Sequence, residues 1–263
     1  RPRPARAAPP VTVLARPRPR PRWVPIAAAL AASLLLAIAT HSLVFDRRPV
    51  SGTMMANAAP GVTKTLELDD GSEVVLNGGS QLRIDRTRPR LLRLETGEAR
   101  FTVAHDPGRP FVVRVGRAEV VDLGTVFAIT HEGGNTAVAV AEGVVRVDSE
   151  GRSHRLSAGD ILRLAADGRV LRGRVAPSSV ASWVDGRLAY EGASLELVAA
   201  DLARATGLRV TMAPSLKARR FSGGFTLGAR DADTIRRAAH VVGVEARKVD
   251  DGWVLEGAES RTR

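Results

Sequence analysis

Gly124-Thr125 is the one pair in this chain whose types and setting suggest a peptide bond that can react. It lies between Val120-Val121 and Val126-Phe127, two apolar stretches that read as strands and would hold the bond tightly. A threonine hydroxyl can add to the carbonyl carbon of the preceding residue, close a five-membered ring and leave an ester, an N–O acyl shift. Glycine before threonine tolerates the twisted backbone this requires, and strain lowers the barrier. His105, Asp122 and His131 are candidate bases, among which the sequence does not choose. The same pair also suits a β-bulge followed by a good strand residue, the simpler reading of these residues by themselves.

Chemistry on a separate substrate is not advertised. His41, His105, His131, His154 and His240 are scattered, with no pair at an H-x-x-x-H spacing, so no metal site is expected. Ser222-Gly223-Gly224 is not a G-x-S-x-G elbow and lacks the Gly-Lys-Ser/Thr ending of a phosphate loop. Asp69-Asp70 could pair as carboxylates, but a hairpin turn already accounts for Asp70. The absence of cysteine excludes disulfides, thiolate metal sites and lipidation at cysteine. No cofactor and no enzyme acting on a second molecule are expected.

The elements that would position Gly124-Thr125 are short strands. From Val62 to about Ala165, apolar residues alternate and are broken by Gly and Asp. Leu66 and Leu68 lead into Asp70-Gly71, and Val74 and Leu76 come after it, which is a strong hairpin signal. Leu91–Leu94, Ala99–Val103, Phe111–Val115, Glu119–Leu123, Val126–Thr130, Ala137–Ala141, Val144–Val147 and Ile161–Leu164 continue the pattern, with Gly97, Gly116 and Gly143 at turns. Residues 62–176 therefore read as an all-β domain.

After Pro177 the period changes. Ser194 caps a helix carrying Leu195, Val198, Ala199, Leu202 and Ala205 on one face and ending at Gly207. A second helix runs from about Asp233 to Gly243. With strands at Arg187–Tyr190, Leu208–Met212, Phe221–Phe225, Val244–Val249 and Trp253–Leu255, the order is β-α-β-β-α-β-β. Residues 177–263 thus read as a small α+β domain of two βαβ halves. Phe221, Phe225 and Trp253, on its edge strands, are candidate partner contacts, although Trp183 and Trp253 are of a type more often found in a core.

Residues 24–45 contain no Asp, Glu, Lys or Arg and as a helix would be about 33 Å long, enough to cross a bilayer. Arg1, Arg3, Arg6, Arg16, Arg18, Arg20 and Arg22 precede it without an acidic residue, so the arm, 1–23, should stay cytoplasmic and the rest be exported. Residues 46–61 read as a juxtamembrane linker. Ala56-Asn57-Ala58 has the form of a signal-cleavage site, but it lies well beyond the apolar run, with Arg47 and Arg48 between, and an anchor is the better reading. The arm holds seven of the net +11 charges, leaving +4 for the remainder, an ordinary surface. Nothing beside those arginines reads bases, so no nucleic-acid partner is expected. The chain begins at Arg1 instead of Met, and an upstream part is expected to be missing.

Several motifs in order resemble the FecR domain. They are Leu68-Asp69-Asp70-Gly71-Ser72-Glu73-Val74-Val75-Leu76-Asn77 with Ser80, Leu94-Glu95-Thr96-Gly97-Glu98-Ala99-Arg100-Phe101, and Pro110-Phe111-Val112-Val113. Leu123-Gly124-Thr125-Val126-Phe127 and Ala141-Glu142-Gly143-Val144-Val145 complete the set, and the fit runs from about Lys64 to Leu164. Trp183-x-x-Gly186-x-Leu188 and the helices and strands after it resemble the short domain of secretins and TonB-dependent transducers. The resemblance implies a single-pass inner-membrane anti-sigma regulator with its C-terminal domains in the periplasm. It implies a TonB-dependent outer-membrane transducer as the periplasmic partner, and control of an extracytoplasmic-function sigma factor through the missing upstream segment, for iron–siderophore uptake. Stepwise proteolysis is implied as well: self-cleavage at Gly124-Thr125, then cutting by periplasmic and intramembrane proteases, the last within 24–45. The alternative is an anchored periplasmic scaffold without sigma control.

Overall fold

A computed structural model describes residues 52–122, 124–229 and 231–257. The expected arm (1–23) and membrane span (24–45) lie outside the described residues. Among the described residues no helix is long and apolar enough to cross a membrane.

Thirteen strands build the first part: β1 (Thr53–Asn57), β2 (Lys64–Glu67), β3 (Glu73–Leu76), β4 (Gln81–Asp85), β5 (Leu91–Thr102), β6 (Phe111–Val115), β7 (Ala118–Asp122), β8 (Val126–Glu132), β9 (Asn135–Glu142), β10 (Val144–Ser149), β11 (Arg152–Ser157), β12 (Asp160–Leu164) and β13 (Val170–Arg174). The expected Asp70-Gly71 hairpin forms between β2 and β3, with Gly71 at φ +81° and Asp70 Oδ1 accepting from the Ser72 N–H at 3.0 Å. Strand β1 falls inside the segment read as a linker and pairs with β4.

Strand β5 departs from expectation and organises the domain. Leu91–Leu94 and Ala99–Val103 are not separate strands joined by a turn. They are two halves of one twelve-residue strand. Gly97, at φ +91°, bends the strand instead of reversing it. The first half pairs with β4 and β6, the second with β3 and β8. One strand therefore serves two sheets, β1-β4-β5-β6-β7-β10-β11 and β2-β3-β5-β8-β9-β12-β13.

The apolar residues of the two sheets face each other. Leu82, Leu92, Leu94, Val113, Val120 and Val147 meet Val74, Leu76, Phe101, Phe127, Ile129 and Val138. Phe101 stacks on Phe127 with ring centroids 5.0 Å apart and meets Phe111 edge-on. Each buried ring stabilises by roughly 1.5–3 kcal/mol relative to exposure.

The second part contains β14 (Arg187–Ser194), α1 (Leu195–Thr206), β15 (Val210–Met212), β16 (Arg220–Thr226), α2 (Ala232–Val242), β17 (Glu245–Val249) and β18 (Gly252–Glu256). Ser194 caps α1 by accepting from the Leu197 N–H, and Asp231 caps α2 through the Thr234 N–H. Gly207 and Gly243 end the helices in the left-handed region. Element order is as expected, but the pairing is not that of two βαβ halves. Strand β14 pairs antiparallel with β16, while β15 lies parallel to β18 in a separate sheet with β17. Residue periodicity specifies the elements and their buried faces, not which edges meet.

Both parts belong to one compact unit, Ser51–Arg263. Val75 and Ala128, on the outer face of the first part, pack into the same apolar cluster as Trp183, Leu188, Leu202 and Trp253.

Candidate functional site

Gly124-Thr125 connects the end of β7 to the start of β8. The register of β5 against β8 sets Thr102 opposite Val126, so the residues after β5 run alongside the pair. The Val103 N–H donates to the Thr125 carbonyl at 2.9 Å. Thr125 is buried, and its Oγ1 has no hydrogen-bond partner among the described residues. Leaving a buried hydroxyl unpaired costs about 1–3 kcal/mol. Gly124 has φ +143°, and a Cβ there would come within 2.7 Å of His105 Nδ1 and 2.8 Å of the His105 Cα. Glycine is therefore required both by conformation and by space.

Asp122 is buried, accepts the Gly124 N–H at Oδ2 (3.1 Å), and leaves Oδ1 without a partner. Of the three candidate bases, the structure brings His105 and Asp122 to the bond. His131 pairs with Thr136 (2.9 Å) and sits opposite Gly97, about 20 Å along β8 from Thr125.

Gly143, between β9 and β10, closes over the pair. At φ +80° it faces Thr125 so closely that a Cβ would lie 2.5 Å from Thr125 Cγ2 and 3.4 Å from the Gly124 oxygen. Gly143→Ala is expected to cost about 1–3 kcal/mol, from strain and displacement of Thr125, read as a lowered urea midpoint. An unchanged midpoint would show that the turn can yield without disturbing the pair.

A second constellation, which sequence reasoning missed, lies where α1 meets the outer face of the first part. Arg204, 8% exposed, forms ion pairs with Asp201, with Glu132 at 2.6 Å and with Glu98 at 3.7 Å. Asn77 Nδ2 donates to Glu98 at 2.9 Å, and the Tyr190 hydroxyl donates to Asp201 at 3.0 Å. The Trp183 indole N–H lies close enough to favour the charged form of Glu98 without making a well-formed hydrogen bond. Close by, the Gly61 N–H donates to the Arg204 carbonyl at 3.2 Å, at the last turn of α1. The sequence signal was Asp201 and Arg204 three residues apart beside the apolar stripe of α1.

Burial pushes the Glu98 and Asp201 carboxyls up, against the opposing pull of Arg204. For Arg204 itself burial pulls down, but Asp201, Glu98 and Glu132 outweigh it and hold the guanidinium above its ordinary value. A raised carboxyl binds more protons folded than unfolded, so this contribution to stability is present at low pH and lost as pH rises through the raised values. Asp85, Asp106, Asp148 and Asp160 are held low by hydrogen bonds and act oppositely, losing their contribution only below about pH 4. Stability measured by urea unfolding is therefore expected to peak in mild acid and decline towards neutrality. Glu98→Gln, which keeps an acceptor for Asn77, is expected to flatten that decline. An undiminished decline in this variant would remove Glu98 as its source.

Comparison with known proteins fits this architecture. Residues 56–146 match the family model described as FecR protein. That stretch is FecR-like. Two crystal structures of a candidate anti-sigma factor from Parabacteroides distasonis ATCC 8503 share its fold, each with a TM-score of 0.70 and 26% identity. They align with 79% and 78% of this chain and with 100% of their own. No curated protein matches the chain.

The FecR match spans His105, Asp122, Gly124, Thr125 and Gly143, and also Glu98 and Glu132. Arg204 and Asp201 lie outside it, so the buried ion pairs tie the FecR domain to the C-terminal part. The candidate partner contacts are placed differently from one another. Phe221 and Phe225 are half-buried on β16, against Tyr190 at 6.0 and 6.2 Å between ring centroids. Trp253 is 5% exposed, in the core under Arg236 and not on an open edge.

Proposed function

We propose that this chain is a single-pass inner-membrane regulator of the anti-sigma type. Its periplasmic part receives a signal from a TonB-dependent outer-membrane transducer, and its cytoplasmic side controls an extracytoplasmic-function sigma factor for iron–siderophore uptake. The observation that carries this reading is the FecR match, joined to a fold shared over the full length of the P. distasonis candidate anti-sigma factor. Half-buried Phe221 and Phe225, on a strand with one unpaired edge, offer a place for strand addition by the transducer's signalling domain.

The proposal includes self-cleavage. The Thr125 hydroxyl, giving its proton to His105 or Asp122, adds to the Gly124 carbonyl carbon and forms a five-membered ring. The C–N bond then breaks as the nitrogen takes up a proton, leaving Gly124 esterified to Thr125 with a free Thr125 amine. Water hydrolyses the ester to a Gly124 carboxylate and a fragment beginning at Thr125. The unpaired Oγ1 supports this step, since no hydrogen bond must be broken to free the nucleophile. Periplasmic and intramembrane proteases would act afterwards.

The test is crosslinking of the full-length protein in its host, with mass spectrometry of partners and fragments. A TonB-dependent transducer outside and a sigma factor inside are expected. Envelope proteins alone would overturn sigma control and leave an anchored scaffold.

A further inference from the structure

Between the outer face of the FecR domain and the C-terminal part lies a cleft of about 460 Å³, within the range of small-molecule sites. Its floor is small and apolar, made by Ala128, Ala137 and Ala139 of β8 and β9. Leu171 and Leu197 line it too and are 57% and 38% exposed, so apolar surface faces the opening.

Of the four arginines that line the cleft, Arg174 and Arg204 are held in ion pairs, and the other two come from different parts, Arg163 from β12 and Arg220 from the start of β16. Among the described residues neither has a carboxylate partner. The nearby carboxylates are committed elsewhere: Asp160 to Arg172 and Arg174, Glu98 and Asp201 to Arg204. Glu191 lines the cleft but pairs with neither arginine. Arg220 Nη1 donates to the Gly192 carbonyl at 3.2 Å, which fixes its head beside the bulge in β14. Both arginines are exposed at the surface; partial crowding of the Arg163 head, and after it the like charge of Arg220, hold its guanidinium below its ordinary value. Two like charges thus face a cleft with an apolar floor, in which Glu191 is the acidic lining residue outside an ion pair among the described residues.

We infer that this cleft binds a small amphiphilic anion, its carboxylate or phosphate held between Arg163 and Arg220 and its apolar body on the alanine floor. Guanidinium forks suit both head groups, and charge-assisted bonds strengthen where water is partly excluded. Such a ligand would touch β12 from one part and β14 and β16 from the other, so its binding favours the packed arrangement of the two. The inference does not depend on sigma control.

The test is isothermal titration calorimetry of the full chain with phenyl phosphate and benzoate, beside inorganic phosphate and benzyl alcohol. At least one of the two aromatic anions is expected to bind saturably, at least tenfold tighter than either control, and more weakly as salt rises. The preferred anion identifies the head group. Arg163→Gln/Arg220→Gln should weaken binding at least tenfold while keeping its thermal transition, and Arg152→Gln should bind like the parent. If the double variant unfolds, the single variants Arg163→Gln and Arg220→Gln carry the comparison. Hydrogen exchange with ligand should slow at 161–164 and 189–194. Equal binding by benzyl alcohol, unchanged binding by the arginine variants, or no saturable binding by either anion would overturn the site.

Discussion

Arg204→Met is expected to destabilise the folded unit by about 3–5 kcal/mol, the cost of leaving buried charge without its counterion. Methionine matches much of the arginine stem but supplies no positive charge. It would leave Glu98, Asp201 and Glu132 facing one another, with only Asn77, Tyr190 and Trp183 nearby. In urea this corresponds to a midpoint lower by about 1–2 M for a unit of this size. Acid should return much of the loss, because protonation of the already raised Glu98 and Asp201 carboxyls removes the repulsion. Arg152→Met, at an exposed position, should change little at any pH. Hydrogen exchange distinguishes the consequences. Faster exchange confined to 187–256 would mean that the C-terminal part detaches from an intact FecR domain, whereas faster exchange throughout would mean that the two unfold together. Full stability of Arg204→Met at neutral pH would show that water reaches these carboxylates and that the cluster does not join the two parts.

The limits of the sequence come from what periodicity encodes. Alternation of apolar residues identified β3, β6, β8, β9 and β12, because one face of each strand is buried in the sandwich. It does not distinguish a glycine that reverses the chain from one that bends it, and so Gly97 split β5 in two. Short β1 and the mostly exposed strands β11 and β13 bury too few residues to show the pattern. The Gly124-Thr125 pair could be singled out because both residues are adjacent in sequence. Its surroundings were not, since His105 reaches Gly124 only through the β5–β8 register, which carries His131 to the opposite end. The Arg204 cluster joins residues from 77 to 204, and charged residues are ordinarily solvated, so sequence alone favours leaving each on the surface.

Thr125→Val is expected to abolish the fragment beginning at Thr125 while making the protein more stable. Valine keeps the branched shape that Gly143 packs against and removes the hydroxyl. The lost hydroxyl is the proposed nucleophile, so cleavage should fall below detection and not merely slow. The same hydroxyl is buried without a hydrogen-bond partner, so its removal should add about 1 kcal/mol of stability. That combination is diagnostic, since a substitution that stopped cleavage by disrupting the fold would lower stability instead. Thr125→Ser retains a nucleophile and should still yield the fragment, and His105→Gln should slow its appearance if the ring beside Gly124 accepts the proton. Mass spectrometry of the purified full-length protein, incubated without other proteins, reads the fragment directly, and urea unfolding reads stability. A fragment at the same bond in Thr125→Val would show that the Thr125 hydroxyl is not the nucleophile. An uncut parent protein would leave Gly124 and Thr125 as a strained strand entry whose unpaired hydroxyl serves no reaction.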